Sequence, residues 1–197
     1  MITVRSMTRL LLGLFIFGLS LALMVKAHIG IPPWDVLGQG ISKTFGITFG
    51  QSTILVSAIV LLAWIPLKVK PGLGSVLNAL CIGLFVDFWL PYIPEFENYW
   101  SNLLMFLVGM CTVAFATGLY ISAELGSGPR DGLMLGTHKA LGWPLWLVRT
   151  MYEGTVLIIG FLLGGQVREG TLIFAVCIGY LMQTSMKLFG IPLKKRK

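Results

Sequence analysis

The chain has 197 residues, of which 56% are hydrophobic and only 12% are charged, and its formal net charge is +7. Soluble domains usually carry about 25% charged residues, so this composition excludes a water-soluble globular protein. The basic residues lie at the ends of apolar runs and in the tail 194–197, which favours contact with anionic lipid and argues against binding to nucleic acid.

Six apolar segments predict membrane-spanning helices, because a span needs roughly 20 mostly apolar residues. In chain order they are residues 10–25, 49–67, 73–90, 103–122, 144–163 and 170–187. The first is short, but Arg9 and Lys26 at its ends can extend to the lipid headgroups. A signal peptide is the alternative there, but Lys26 and His28 stand where small residues would mark its cleavage site. We therefore predict an all-α polytopic membrane protein.

The sequence contains an internal repeat, in which residues 27–46 align without a gap to residues 123–142, an offset of 96. Proline, aspartate, lysine and glycine match in one register, which is harder to obtain by chance than matched apolar residues. The identical pairs are Ala27/Ala123, Gly30/Gly126, Pro33/Pro129, Asp35/Asp131, Leu37/Leu133, Gly40/Gly136, Lys43/Lys139 and Gly46/Gly142. We predict one membrane domain built from two halves, residues 1–95 and 96–197.

A short amphipathic segment follows the first span of each half, at residues 33–45 and 129–141. As a helix, each would extend about 20 Å, which is less than the hydrocarbon thickness of about 30 Å. We expect both to lie at the interface or to re-enter partway, so that each half crosses three times. Because three is odd, the second half enters from the opposite side, and we predict an inverted repeat.

The distribution of basic residues predicts the orientation. With three crossings per half and a cytoplasmic N-terminus, twelve of the 15 Lys and Arg residues lie on the cytoplasmic side, as the positive-inside rule requires. Eight spans would place Lys68 and Lys70 outside, so six fit better. Both termini are then expected in the cytoplasm.

The strongest local motif is residues 126–132, which contains Gly128, Pro129, Arg130 and Asp131. Proline in the first turn favours a helix start, and an acidic residue there suits the helix dipole. Such a helix start exposes N–H donors that can bind an anion, and Arg130 adds a fixed positive charge. These four residues are therefore candidates for substrate binding.

The first half has a related helix start with Pro33 and Asp35, but Trp34 replaces the arginine. One interpretation is that Asp35 and Asp131 only cap their helices, since capping explains their spacing unaided. The other is that both helix starts face a shared cavity from opposite sides, as the inverted repeat would allow.

Three further polar residues lie inside predicted spans. Arg149 and Glu153 are four residues apart, so they share one helix face and can pair. Charges inside a span usually face an interior or a watery pathway, although a neutralised pair at the headgroups is an alternative that fits Arg149 well. Glu153 lies deeper and is the better candidate. Asn78 is more often a helix–helix hydrogen-bonding residue than a ligand contact.

Neither a metal site nor an active site is indicated by the sequence. His28 and His138 have no partners at metal-ligand spacing, and no CxxC, HExxH or serine-nucleophile motif is present. We therefore expect no enzymatic activity, no cofactor and no bound metal.

The segment GSGPRDGLMLG at 126–136, followed by Arg149, Glu153 and Gly170, resembles the YitT/YczE group of bacterial inner-membrane proteins, and most closely its YczE-like branch. The resemblance covers nearly the whole chain and implies a multi-span protein of the bacterial plasma membrane. It supplies no substrate or mechanism. A link of YczE-like proteins with lipopeptide production leaves an accessory role open.

From these residues we expect a small-solute transporter or permeation protein with its pathway between the two halves. Asp131, Arg130 and Glu153 would contact an anionic or zwitterionic solute, with Asp35 as the symmetric partner of Asp131, and the protein could act as a homodimer in the lipid bilayer. One alternative is an accessory protein that binds a partner or lipid, which predicts Asp35 and Asp131 in closed hydrogen-bond sets. Another is the substrate-binding subunit of a vitamin importer, against which the inverted repeat argues.

Overall fold

The computed structural model describes residues 3–191, and this range is helical throughout apart from its loops. The predicted basic tail, residues 194–197, lies outside the described range. Within that range the chain forms eight α-helices, and a short 3-10 turn extends the fourth. They are α1 (Val4–Lys26), α2 (Pro33–Phe45), α3 (Phe49–Ala63), α4 (Leu73–Trp89), the 3-10 turn (Leu90–Tyr92), α5 (Tyr99–Ile121), α6 (Pro129–Leu141), α7 (Leu145–Leu162) and α8 (Glu169–Leu188).

The lengths and composition of these helices confirm the predicted fold class. In the described part of the chain, five helices are long and apolar enough to cross a membrane: α1, α4 with its 3-10 extension, α5, α7 and α8. Helices α2 and α3 supply a sixth crossing if they are counted as one span, which bends by 117° at the break between them. The protein is an all-α membrane protein with five or six spans.

Three helix boundaries differ from the predicted ones by four residues or more, and one of them is the start of α5 at Tyr99, which was predicted at residue 103. Helix α1 begins at Val4 because Thr3 and Ser6 form a capping box, which lengthens the short first span to 23 residues. Helix α3 ends at Ala63 and not at residue 67, so its 15 residues extend only about 22 Å. The chain then turns through Lys68, which has a left-handed φ of 55°.

The backbone conformation repeats at the same offset as the sequence. Helices α2, α3 and α4 begin at positions equivalent to the starts of α6, α7 and α8. Residues with positive φ also fall into equivalent pairs: His28/Glu124, Gly30/Gly126, Gly46/Gly142 and Lys68/Gly164. The two halves therefore share one order of helices and turns.

Helices α1 and α5 form the centre of the core and run antiparallel. A Cβ atom on Gly13, early in α1, would lie 2.8 Å from Tyr120, near the end of α5. A Cβ atom on Gly109, in α5, would lie 2.9 Å from Met24, near the end of α1. Glycine at both positions permits this close crossing, which is how helices associate in a membrane where apolar burial gives little driving force.

Each half also binds the other through its loops. The Gly170 N–H donates to the Ile29 carbonyl at 2.9 Å, and the Gly74 N–H donates to the Leu125 carbonyl at 2.7 Å. These two bonds exchange with each other under the sequence offset, as a pseudo-twofold relation between the halves produces. The opposite orientation of the halves across a membrane stays a prediction.

Candidate functional site

The starts of α2 and α6 meet at a central cavity of about 120 Å³, which is lined by residues from both halves. A cavity of this size is comparable to the engineered cavity of about 150 Å³ that binds benzene. All nine predicted site residues line it: Pro33, Asp35, Asn78, Gly128, Pro129, Arg130, Asp131, Arg149 and Glu153. The structure thus brings them together, while their role in binding stays a prediction.

The start of α6 is held in place by the other half of the protein. The Trp64 indole N–H, at the end of α3, donates to the Pro129 carbonyl at 3.0 Å. Gly132 leaves room for the Trp64 ring, which any larger side chain there would displace. The Ser75 hydroxyl donates to the Ser127 carbonyl at 2.6 Å. These contacts fix the position of Arg130 and Asp131 in the cavity wall.

Asp35 and Arg130 form an ion pair between the two halves. The guanidinium donates to both carboxylate oxygens, at 2.7 Å and 3.4 Å, and Asp35 is only 1% exposed. The Arg130 Cζ also lies 5.6 Å from the centroid of the Trp34 ring, within the range of a cation–π contact. A buried carboxylate needs such a partner, so Arg130 serves as the counter-ion of Asp35.

Asp131 occupies the position equivalent to Asp35 but has no comparable partner. Its carboxyl group makes no hydrogen bond within the described residues. The Trp34 indole N–H, at the position equivalent to Arg130, is buried in the cavity wall and also has no acceptor among them. Of the two equivalent aspartates, Asp35 is therefore paired with Arg130, and Asp131 is available as a hydrogen-bond acceptor.

Three polar groups converge on the space beside Gly128. A Cβ atom on Gly128 would lie 3.2 Å from the Tyr120 hydroxyl, 3.5 Å from the Asp131 carboxylate and 3.7 Å from the Asn78 amide nitrogen. Asn78 and Tyr120 are 7% and 3% exposed. This small space therefore offers an acceptor, an amide and a hydroxyl to a ligand.

Tyr120 was missed by sequence analysis, since a tyrosine near the end of a span resembles an interfacial aromatic. The only available signal was a departure from the repeat. The residue equivalent to Tyr120 in the first half is Met24, and the residue equivalent to Asn78 in the second half is Phe174. The polar site therefore occurs once, in spite of the repeated backbone.

Arg149 and Glu153 form the second ion pair at the cavity wall, with 2.8 Å between the Arg149 Nε and the Glu153 carboxylate. Their side chains are 48% and 27% exposed, so they lie where the cavity opens. The two ion pairs join four of the five charged side chains that line the cavity, and the fifth, Asp131, forms no salt bridge with any residue that the structure describes. Within residues 3–191, no group of three His, Cys, Asp or Glu side chains is placed to hold a metal ion.

Comparison with known proteins shows the family. A family model described as a family of unknown function (DUF6198) matches residues 4–187. The membrane protein YczE of Bacillus subtilis is 34% identical over 171 residues, which cover 86% of this chain and 79% of YczE. The chain belongs to the YczE-like family.

Two further relatives of this YczE-like chain extend the comparison. A protein of Haemophilus influenzae is 36% identical over 97% of the chain and 89% of its own length. YyaS of Bacillus subtilis is 27% identical over 87% of both chains. No solved structure matches. The resemblance to the YczE-like branch is confirmed, and with it a membrane protein of several spans, while the relatives' names give no activity.

Proposed function

We propose that this protein is a small-solute membrane transporter whose pathway passes through the central cavity. The proposal rests on one observation, the convergence of Asp131, Asn78 and Tyr120 on the space beside Gly128. Buried polar groups are normally hydrogen-bonded, so the Asp131 carboxyl and Asn78 amide, which face the cavity, suit a ligand that completes them, while the Tyr120 hydroxyl already has a hydrogen bond with the Gly128 backbone. We propose no catalytic role for these residues.

The charges favour a zwitterionic solute over a simple anion. Arg130 is already neutralised by Asp35, so it offers little to a free anion. The Asp131 carboxyl group is open and would accept a hydrogen bond from an ammonium group, which is the stronger, charge-assisted kind. Arg149 bonds to Glu153 through its Nε, and its two terminal nitrogens make no hydrogen bond with any other described residue, so they can bind the anionic end of the solute.

The proposed setting is the plasma membrane of a bacterium, with both termini in the cytoplasm. This orientation follows the positive-inside rule, and it places the start of α2 toward the outside and the start of α6 toward the cytoplasm. A cavity between two such helix starts can open alternately to either side, as in other transporters with inverted repeats.

The test is uptake of radiolabelled amino acids and betaines into proteoliposomes that contain the purified protein. Asp131→Asn should reduce uptake of the active solute by about tenfold or more, because it removes a charge-assisted hydrogen bond. Glu153→Gln should reduce it less. Glu97→Gln, which neutralises an exposed loop carboxylate, is the matched control and should transport normally. Wild-type rates in Asp131→Asn would remove the cavity from the mechanism.

An accessory protein that transports nothing is the second candidate. The closed pair of Asp35 with Arg130 favours it, because a structural role predicts satisfied charges. The open Asp131 does not. A ligand-dependent rise in the unfolding temperature of the purified protein, without uptake of the same ligand, would support this candidate.

A further inference from the structure

The contact between the last two spans differs sharply between the halves. In the first half, α3 and α4 pack backbone to backbone, because Gly50 and Gly83 each contact the main chain of the other. The Asp87 carboxylate also accepts hydrogen bonds from the Thr48 hydroxyl and from the Gly50 N–H, the latter at 2.8 Å. Helices α3 and α4 are therefore closed against each other.

The second half lacks every part of this contact except one glycine. Trp146 stands at the position of Gly50, Pro144 at that of Thr48 and Gln183 at that of Asp87. Gly179 is equivalent to Gly83, yet a Cβ atom on it would meet no other atom within 4 Å. Trp146 is 62% exposed. Helices α7 and α8 are thus held apart at this level.

The gap between them is a slot that leads into the central cavity. It is lined by Pro33, Arg149, Glu153, Phe174, Ala175, Ile178 and Gly179, of which all but Ala175 and Gly179 also line the cavity. Beside the slot, α8 presents the exposed apolar side chains Val176 and Tyr180, as a lipid-facing surface does. The cavity therefore opens sideways, between two spans, beside an exposed apolar face of α8.

We propose that this α7–α8 slot is a lateral entrance through which a zwitterionic amphiphile, a molecule with an ammonium group, an anionic group and one alkyl chain, reaches the cavity from the bilayer. The proposal rests on the proposed function and names its substrate class. The cavity of about 120 Å³ holds a head group but not an alkyl chain. If the slot opens into lipid, the alkyl chain of the ligand stays in an apolar environment while the head group enters the cavity.

The polar groups are arranged along this route in an order that fits such a molecule. Asp131, deep in the cavity, accepts from the ammonium group. Arg149, at the slot, binds the anionic group through its two terminal nitrogens, while the alkyl chain lies against Phe174 and Ile178. An ion pair at a lipid-facing opening is costly unless it faces a polar pathway, which explains why Arg149 and Glu153 stand here.

The test places a bulky side chain in the slot. Gly179→Trp begins in open space, since a Cβ atom there meets nothing within 4 Å, and Ala175→Trp obstructs the same opening from one turn away. Val176→Trp, on the adjacent exposed face of α8, is the matched control. Each protein is reconstituted in nanodiscs of phosphatidylglycerol that contain a photoactivatable lysophosphatidylethanolamine, and the lipid adducts are mapped by mass spectrometry.

We expect wild type and Val176→Trp to carry lipid adducts on residues 174–178. In both slot variants the amount of these adducts should fall by about tenfold. Asp131→Asn should lower labelling as well, and a lysophosphatidylglycerol probe, which has no ammonium group, should label weakly. Equal labelling of Gly179→Trp and wild type would overturn the proposal. A wild-type dimer that Gly179→Trp dissociates would also overturn it, because the slot would then be an interface between copies.

The uptake assay separates this proposal from the proposed function. If Asp131→Asn abolishes uptake of a water-soluble zwitterion while Gly179→Trp leaves it unchanged, the cavity transports and the lateral entrance is wrong. If Asp131→Asn is normal in both assays, the proposed function itself is wrong.

Discussion

The guanidinium of Arg130 lies 2.7 Å from the carboxylate of Asp35, and this contact joins the first turn of α6 to the first turn of α2. The carboxylate is almost fully buried. Arg130 therefore stabilises the junction of the two halves, in addition to lining the cavity.

Removal of one partner of this pair should strongly destabilise the protein. Arg130→Gln leaves the buried Asp35 carboxylate without a counter-ion, which costs about 3–5 kcal/mol of unfolding free energy. Arg149→Gln breaks a more exposed pair and should cost less than about 1 kcal/mol. Unfolding in detergent, followed by intrinsic fluorescence, measures both. Equal effects of the two substitutions would contradict a structural role for Arg130.

The close crossing of α1 and α5 predicts a second stability difference. Gly13→Ala places a methyl group 2.8 Å from the Tyr120 backbone nitrogen, so the helices must separate, at a cost of about 1–3 kcal/mol. Gly154→Ala, in α7, is the matched control because its Cβ would contact nothing within 4 Å. The control should be neutral or slightly stabilising, since alanine is the better helix former. Thermal unfolding of both variants tests this, and a stable Gly13→Ala protein would argue against the crossing.

Local signals were sufficient to predict where the short helices begin. Pro33 and Pro129 start α2 and α6 as predicted, because proline favours the first helical turn in any surroundings. The end of α3 was not predictable, since Trp64 and Leu67 continue the apolar run after the helix has ended. Hydropathy measures the preference of a segment for lipid or water, and it does not indicate where the backbone turns.

Sequence analysis mainly failed to predict which residues far apart in the sequence contact each other. The repeat aligned Asp35 with Asp131, but the partner of Asp35 is Arg130, which is aligned with Trp34. Pairing between the two halves joins non-equivalent residues, and one sequence does not show which ones meet. The α7–α8 slot was missed because Gly50 and Trp146 are equally acceptable in an apolar segment, and only their packing partners reveal the difference.

The orientation of the two halves can be tested at the equivalent residues Lys43 and Lys139, near the ends of α2 and α6. Both are exposed. With the three native cysteines replaced by alanine, Lys43→Cys should react with a membrane-impermeant maleimide added outside intact cells. Lys139→Cys should react only after the cells are opened. Labelling of both from the same side would contradict the inverted repeat and leave the proposed pathway without a basis.

The loop before α5 predicts a pH-dependent contribution to stability. A hydrogen bond from Lys26, at 2.5 Å, together with its charge, lowers the pKa of Glu95 below the ordinary value of 4.5. Because the pKa is lower in the folded state, the contact stabilises the protein fully above about pH 4.5 and the effect is lost as the pH falls through the folded-state pKa. Unfolding of wild type and Glu95→Gln should therefore differ at neutral pH and converge in acid. A difference that persists unchanged at pH 3 would exclude this contact as its cause.

Gly128 offers a way to fill the proposed binding space with little disturbance of the fold, because only the Tyr120 hydroxyl would have to move, by a few tenths of an ångström. Its φ of −59° and ψ of 154° are allowed for alanine, so Gly128→Ala introduces no backbone strain. Its methyl group would lie 3.2 Å from the Tyr120 hydroxyl and 3.5 Å from the Asp131 carboxylate, in the space that a ligand group would occupy. We expect the unfolding temperature to be close to that of wild type. The rise in that temperature on adding ligand and the uptake rate should both be reduced, by about tenfold.

The matched variant for this test is Tyr120→Phe, which removes the hydroxyl group and leaves the space open. It should weaken binding by less than Gly128→Ala, since one neutral hydrogen bond contributes only about 0.5–1.5 kcal/mol. If Gly128→Ala binds and transports normally, the groups around it serve only to pack the helices, and the cavity has no ligand at this point. If it binds weakly while folding normally, the space beside Gly128 is where the solute is held, because neither strain nor loss of a protein contact would then account for the defect.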